Sequence, residues 1–194
     1  MASTPVSLLE RLRVASPDAT DWHRLHEIYL PMIRRWLARV PGLGDDSQDL
    51  AQEVLVVVFK ELADFERQRE GSFRAWLRKV TINRTRNYWK QLRRRPNPAG
   101  GTAADDFLTQ FEDPAGALAQ EWDQEHDQLV LQKLLDVVKP DFSSQVWEGF
   151  QRFAIDGLPA ARVAAQLGVT ENAVLPAKSR IMKRLREEAA GLID

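Results

Sequence analysis

Three polar residues, Asp49, Gln52 and Glu53, are predicted to share one side of a helix whose other side is apolar. Carboxylates beside an amide can bind a metal ion or take part in hydrolysis, so a metal-dependent nuclease is one hypothesis. However, no histidine or second acidic cluster nearby completes a metal site. We therefore favour a solvated helix face or a docking surface for a basic partner.

A second stretch, residues 73–95, combines cations with aromatic rings and amides. Lysine and arginine neutralise phosphates, and aromatic rings can stack on unpaired bases at about 1–3 kcal/mol per base. The alternative is an ordinary helix with a buried apolar side and solvated charges. We assign Phe73 and Leu77 to the core, and Trp89 with the basic face to nucleic-acid binding.

The C-terminal stretch, residues 160–185, predicts two short helices joined by a tight turn. Ala164 is small where two helices would cross, Gly168 can adopt a positive φ, and Val174 supplies a core contact. This pattern is typical of a DNA-binding helix-turn-helix, although a plain helical hairpin remains an alternative. Pro176 lies inside the second helix, so the helix is expected either to kink there or to begin late.

Apolar residues recur at three- and four-residue spacing in the segments that must position these groups, and this spacing predicts amphipathic helices. Pro41 and Gly42 end the first helix, and Pro96 and Pro98 end the one that begins near Phe73. No strand pattern competes. The predicted fold class is therefore all-α, with two small helical domains.

The charge distribution divides the chain further. The formal net charge is -1, yet residues 67–95 contain eleven Lys or Arg against the single acid Glu70, while residues 97–127 contain eight acids and no Lys or Arg. Proline, glycine and weak periodicity in the acidic segment predict a flexible linker. The predicted organisation is a leader (1–20), a first domain (21–96), an acidic linker (97–127) and a second domain (128–194).

Composition excludes several classes of site. The chain has no cysteine, which excludes disulfides and favours a cytoplasmic location. No apolar run approaches the roughly 20 residues that span a membrane, so we expect no membrane insertion. His23 and His26 lie one helical turn apart beside Glu27, a spacing that can hold a metal, but surface histidines are the simpler interpretation. We expect no metal, no cofactor and no catalytic residue.

Taken together, the motifs resemble those of an extracytoplasmic-function (group IV) sigma factor of the sigma-70 family. The resemblance covers residues 20–96 and 128–190. DDSQDLAQEVLVVVFKEL at 45–62 is similar to regions 2.1–2.2, GSFRAWLRKVTINRTRNYWKQLRRR at 71–95 to regions 2.3–2.4, and GLPAARVAAQLGVTENAVLPAKSRIMKRLREE at 157–188 to region 4.2.

This resemblance implies a transcription initiation factor that binds core RNA polymerase and promoter DNA, not an enzyme. It implies contact with the β′ clamp helices by Asp49, Gln52 and Glu53, and contact of apolar residues within 129–153 with the β flap. It implies −10 DNA contacts by Phe65, Arg67, Arg69, Ser72, Arg74, Arg78, Lys79, Asn83, Arg84, Asn87 and Trp89. It implies −35 contacts by Thr170, Glu171, Asn172, Lys178, Arg180, Lys183 and Arg184. An anti-sigma protein is a further partner that the resemblance allows.

One departure and three alternatives stand beside this resemblance. Family recognition helices often carry a basic pair where Leu175 and Pro176 stand here, and this chain has its cations about one turn later. A stand-alone helix-turn-helix regulator would bind duplex DNA without polymerase. A nuclease would need cation-dependent cleavage, and a protein-binding adaptor would show no salt-dependent DNA affinity.

Overall fold

The computed structural model describes residues 20–65, 72–92 and 102–190, together with Leu12 and Leu192. These residues form eight α-helices and no strand, which confirms the predicted all-α class. The helices are α1 (Thr20–Leu37), α2 (Asp46–Glu61), α3 (Ser72–Leu92), α4 (Thr102–Glu112), α5 (Ala117–Val138), α6 (Ser144–Phe150), α7 (Ala160–Leu167) and α8 (Glu171–Ala189).

The chain divides into two compact units, and the division lies between Val130 and Leu131, inside α5. In the first unit, α2 packs against both α1 and α3. Gly42 and Gly44, with φ of 77° and 52°, make the turn between α1 and α2, a conformation that glycine adopts without steric cost. The buried stripe of α1 is the one that helical spacing predicts: Leu25, Ile28, Tyr29, Met32, Ile33, Trp36 and Leu37.

The acidic segment corrects the linker prediction. Residues 102–112 and 117–127 lie in α4 and α5 and pack on the first unit. The Phe111 ring stacks on Trp36 with centroids 4.8 Å apart, and the fully buried Trp122 meets Trp36 edge-on at 5.4 Å. Residues 97–101 of the predicted linker lie outside the described residues.

The physical reason for this correction is a buried stripe on the part of α5 that belongs to the first unit. Its members recur every three or four residues, which is the period of an α-helix, but the stripe neighbours of the tryptophan are an alanine and a histidine, which weaken the hydrophobic signal. The stripe is therefore weak in the sequence and is recognised only from the packing of its side chains in the structure. They are Ala119, Trp122, His126 and Val130.

In the second unit, α7 and α8 form the predicted pair of short helices. Gly168 ends α7 with φ of 65°, in the left-handed region, and Val163, Ala164 and Val174 form the buried cluster between the helices. Upstream, the Ser143 side chain caps α6 by accepting a hydrogen bond from the Val146 backbone N–H. The predicted crossing, turn and core positions are therefore confirmed.

Pro176 neither delays nor divides α8, which runs unbroken from Glu171 to Ala189. Thr170 is the N-cap residue with extended backbone angles, as its position predicts, although its side chain makes no capping hydrogen bond. The backbone N–H of Ala173 instead donates to the Thr170 carbonyl at 2.9 Å. The first turn of α8 is thus formed before the proline is reached.

Candidate nucleic-acid interface

An exposed polar ridge runs along α3. Lys79, Asn83, Asn87 and Lys90 are exposed and recur at intervals of four, four and three residues, which places them on one helix face. Amides and ammonium groups on a rigid helix can contact phosphates and base edges. Three of these residues were predicted from the sequence, and Lys90 is an addition that the same periodicity would have supplied.

One flank of this ridge is tied to α2. Arg84 forms an ion pair with Glu53, and the Tyr88 hydroxyl donates a hydrogen bond to Asp46. Arg84 and Glu53 were predicted for two different interfaces, one with −10 DNA and one with polymerase. Because each carries the other's counter-ion, the pair lowers the charge that both present to a partner.

The other flank is tied to α5. The Arg74 guanidinium lies 3.2 Å from the Asp127 carboxylate and 3.5 Å from that of Asp123. Arg78 donates to Asp123 at 3.2 Å and to the backbone carbonyl of Ala119 at 3.3 Å. These arginines therefore join α3 to the acidic helix instead of extending towards solvent.

Arg78 corrects the sequence prediction most clearly. Its side chain is only 6% exposed, and burial lowers its pKa while the neighbouring Asp123 opposes that change. A guanidinium enclosed by its own chain is not available to a phosphate in this conformation. Its role in the described fold is to satisfy acceptors on α5.

Two aromatic predictions also need correction. Trp89 is 2% exposed and packs edge-on against Tyr88, and Phe65 is 8% exposed and packs against Phe73 and Trp76. A ring enclosed on both faces cannot stack on a base, because stacking requires one open face. Arg67 and Arg69 lie outside the described residues, as does the side chain of Ser72.

The acidic face of α2 matches its prediction and includes an apolar neighbour that the sequence did not reveal. Asp49, Gln52 and Glu53 are all exposed, and Val56 and Phe59 continue the same side at 51% and 38% exposure. These two lie in an apolar run whose other members include the buried Val54, Leu55 and Val58. A groove of about 230 Å³ runs beside them, lined by Trp22, Leu25, His26, Gln52, Leu55, Val56 and Phe59.

The predicted −35 residues of α8 differ in their exposure and in the contacts they make within the unit. Arg184 is bound to Asp141 at 2.9 Å and to Glu188 at 2.6 Å, and the Lys178 ammonium lies 5.2 Å from the Phe153 ring centre. Contacts of this kind position a cation without necessarily hiding it. The exposed members are Thr170, Glu171, Asn172, Lys178, Arg180 and Lys183, and the Lys183 ammonium lies 3.9 Å from the Glu187 carboxylate.

No metal-binding group of three or more acidic or histidine side chains occurs among the described residues. His23 instead lies 3.3 Å from Glu27 on an exposed face of α1. No helix in the described ranges is long and apolar enough to cross a membrane.

We expect acid to weaken the first unit through its exposed ion pairs. Hydrogen bonds from Arg86 and Arg39 lower the pKa values of Glu112 and Glu121 below their ordinary 4.5. A carboxylate with a lowered pKa stabilises the fold above pH 4.5 and loses that contribution as pH falls through the lowered value. The midpoint of urea unfolding should therefore fall as the pH is lowered below 4.5 and through the lowered pKa values of these two carboxylates.

The double variant Glu112→Gln/Glu121→Gln should show a shallower acid decline than the wild type. Asp106→Asn, which removes another exposed acid of α4, serves as the control. Identical acid profiles for the double variant and the wild type would contradict this prediction.

Comparison with known proteins gives a consistent result. The family description "Sigma-70 region 2" matches residues 25–95, which cover most of α1 to α3. The chain is 28% identical over 148 residues to the probable RNA polymerase sigma factor RfaY of Xanthomonas campestris pv. campestris, over 76% of this chain and 35% of that protein. It is 26% identical over 174 residues to the ECF RNA polymerase sigma factor SigE of Mycolicibacterium smegmatis, over 88% of this chain and 62% of that protein.

Proposed function

Because this chain belongs to the extracytoplasmic-function group of the sigma-70 family, we propose that it directs promoter-specific initiation of transcription by core RNA polymerase. The observation that carries this proposal is the exposed ridge of α3, which lies within the segment that matches sigma-70 region 2. Binding, and not catalysis, is the activity, and the cytoplasm is its location. Residues 21–96 serve as region 2 and residues 128–194 as region 4, after a leader of residues 1–20.

The −10 element is contacted by the α3 ridge. Lys79 and Lys90 neutralise phosphates, and Asn83 and Asn87 offer amide groups to bases or sugars. Arg74 and Arg78 act indirectly, because their ion pairs with α5 hold the helix in place. Separating contact residues from anchoring residues in this way makes the proposal testable one side chain at a time.

Core polymerase is contacted by the α2 face through its β′ clamp helices. Asp49 and Gln52 supply polar contacts, and the exposed Val56 and Phe59 supply apolar area. Protein interfaces combine an apolar centre with a polar rim, and this surface has that composition. Glu53 contributes less, because Arg84 already neutralises it.

In the second unit, a groove of about 520 Å³ suits the β flap. Its lining includes Phe142 and Trp147, within or next to α6, and the backbone turn that carries Pro140. An apolar segment of a partner would bury the partly exposed Phe142 ring on docking, next to Trp147, which is already buried in the fold. The −35 element is contacted by the exposed residues of α8, with Arg180 and Lys183 on phosphates.

We expect transcription from a defined promoter when the full chain and cognate core polymerase are combined, and no such transcript from either alone. Run-off transcription on genomic fragments, followed by mapping of start sites, measures this. Absence of any promoter-specific transcript would refute the proposal. Tight duplex binding by the chain without polymerase would favour the stand-alone regulator instead.

Asp49→Arg is expected to weaken binding to core polymerase at least tenfold, because it reverses an exposed charge on the proposed docking face. The free energy of unfolding should change by less than about 0.5 kcal/mol, as for other exposed positions. Asp106→Arg makes the same charge change on α4 and should bind normally. Binding is measured by titration of labelled core polymerase, and unchanged affinity of the Asp49 variant would remove this residue from the interface.

A further inference from the structure

The exposed face of α8 contains an apolar patch, formed by Leu175 and Pro176, where cations would be expected on a DNA-binding helix. Leu175 is 51% exposed and Pro176 beside it is exposed as well. Leu175 is one of five large apolar side chains that are exposed in the described part of the chain. Asn172 lies one turn before it, and the Ser179 hydroxyl, one turn after it, donates to the Leu175 carbonyl at 3.3 Å.

Packing within the unit does not account for this apolar patch. The buried stripe of α8 consists of Val174, Ala177, Ile181, Leu185 and Glu188, and Leu175 lies off it. Because the stripe fixes the rotation of the helix, Leu175 and Pro176 are held on the outward side. They share that side with the exposed Arg180 and Lys183, about one and two turns further along.

The chemistry of this surface fits one group in particular. Cations on the same helix favour a polyanion over an apolar protein surface. Among base edges in the major groove, the C5-methyl of thymine is the apolar one, and aliphatic side chains pair with it. Pro176 has no backbone N–H, so its ring adds apolar area without adding a donor that would need a partner.

We propose that Leu175, supported by Pro176, contacts the C5-methyl of a thymine in the −35 element and makes that position specific for thymine. This inference rests on the proposed function, because it needs α8 in the major groove. It adds a readout that charged residues on α8 cannot provide, since Arg180 and Lys183 on phosphates carry no direct sequence information.

The experiment uses holoenzyme assembled from the full chain and core polymerase on a promoter fragment mapped by run-off transcription. Thymines of the −35 element, on either strand, are replaced one at a time by deoxyuridine, which removes only the methyl group. Wild type, Leu175→Ala and the control Ile155→Ala are compared; Ile155 is 55% exposed, lies outside the two paired helices and falls outside the residues assigned to the β flap.

We expect one deoxyuridine substitution to weaken wild-type binding about threefold to fourfold, the equivalent of about 0.8 kcal/mol for one buried carbon. Leu175→Ala should bind the thymine and deoxyuridine fragments equally, and Ile155→Ala should behave like wild type. Thermal melting should show that both variants remain folded.

Each contrary result has a distinct meaning. Equal wild-type affinity for thymine and deoxyuridine at every position, a −35 element without thymine, or an unchanged ratio in Leu175→Ala overturns the inference and leaves the proposed function intact. Loss of core polymerase binding by Leu175→Ala in the absence of DNA also overturns it, in favour of a protein contact. Failure to obtain any promoter refutes the proposed function and this inference with it.

Discussion

Trp122→Ala is expected to lower the free energy of unfolding of the first unit by about 3–5 kcal/mol, the usual cost of removing a buried tryptophan. Trp122 is fully buried, meets Trp36 and Phe111 edge-on, and donates its indole N–H to the Arg74 carbonyl at 3.2 Å. The substitution opens a cavity among α1, α4 and α5 and leaves that carbonyl without its donor.

Hydrogen exchange of the α1 amides measures this effect in the full chain, because it reports on the first unit separately from the second. Leu131→Ala, at an exposed position, should change the result by less than about 0.5 kcal/mol. A change below about 1 kcal/mol for Trp122→Ala would mean that residues 102–127 do not pack on α1 in solution. These residues would then form the flexible linker that their composition predicts.

Arg78→Met and Lys79→Met remove the same charge from neighbouring positions, but we expect the first to lower stability and the second to weaken DNA binding. The Arg78 variant loses the donor to Asp123 and to the Ala119 carbonyl, and we expect a loss of about 1–3 kcal/mol in the free energy of unfolding. The estimate is below that for a sealed ion pair because Asp123 remains 35% exposed. Lys79 is exposed, so its replacement should leave stability unchanged.

In promoter binding, only the Lys79 variant should differ from the wild type. The Lys79 variant should bind promoter DNA more weakly as holoenzyme, and the slope of log affinity against log salt should decrease by about 1. The Arg78 variant should keep the wild-type slope at temperatures where it remains folded. If Arg78→Met alone reduced the salt slope while the fold was intact, Arg78 would be a phosphate contact and α5 would have to release it on promoter binding.

Much of the site could be predicted because its signals are local. Asp49 and Gln52 on α2, and Asn83 and Asn87 on α3, lie three or four residues from their neighbours on an exposed face, and helical periodicity alone places them there. Gly168 is equally local, because a tight turn between two short helices requires a positive φ. The cations of α3 were identified correctly as a cluster, but not which of them face solvent.

The amino-acid sequence by itself determined the helices outside residues 102–127, the turn at Gly168 and the resemblance to the sigma-70 family, because each depends on residues close together in the chain. Only the tertiary structure decided which groups Arg74 and Arg78 bind, because their partners Asp123 and Asp127 lie 45–53 residues away in sequence. Charge counted along the chain separates a basic helix from an acidic segment. Folding brings the two together, because burial of Trp122 against α1 carries the carboxylates of α5 to the arginines of α3.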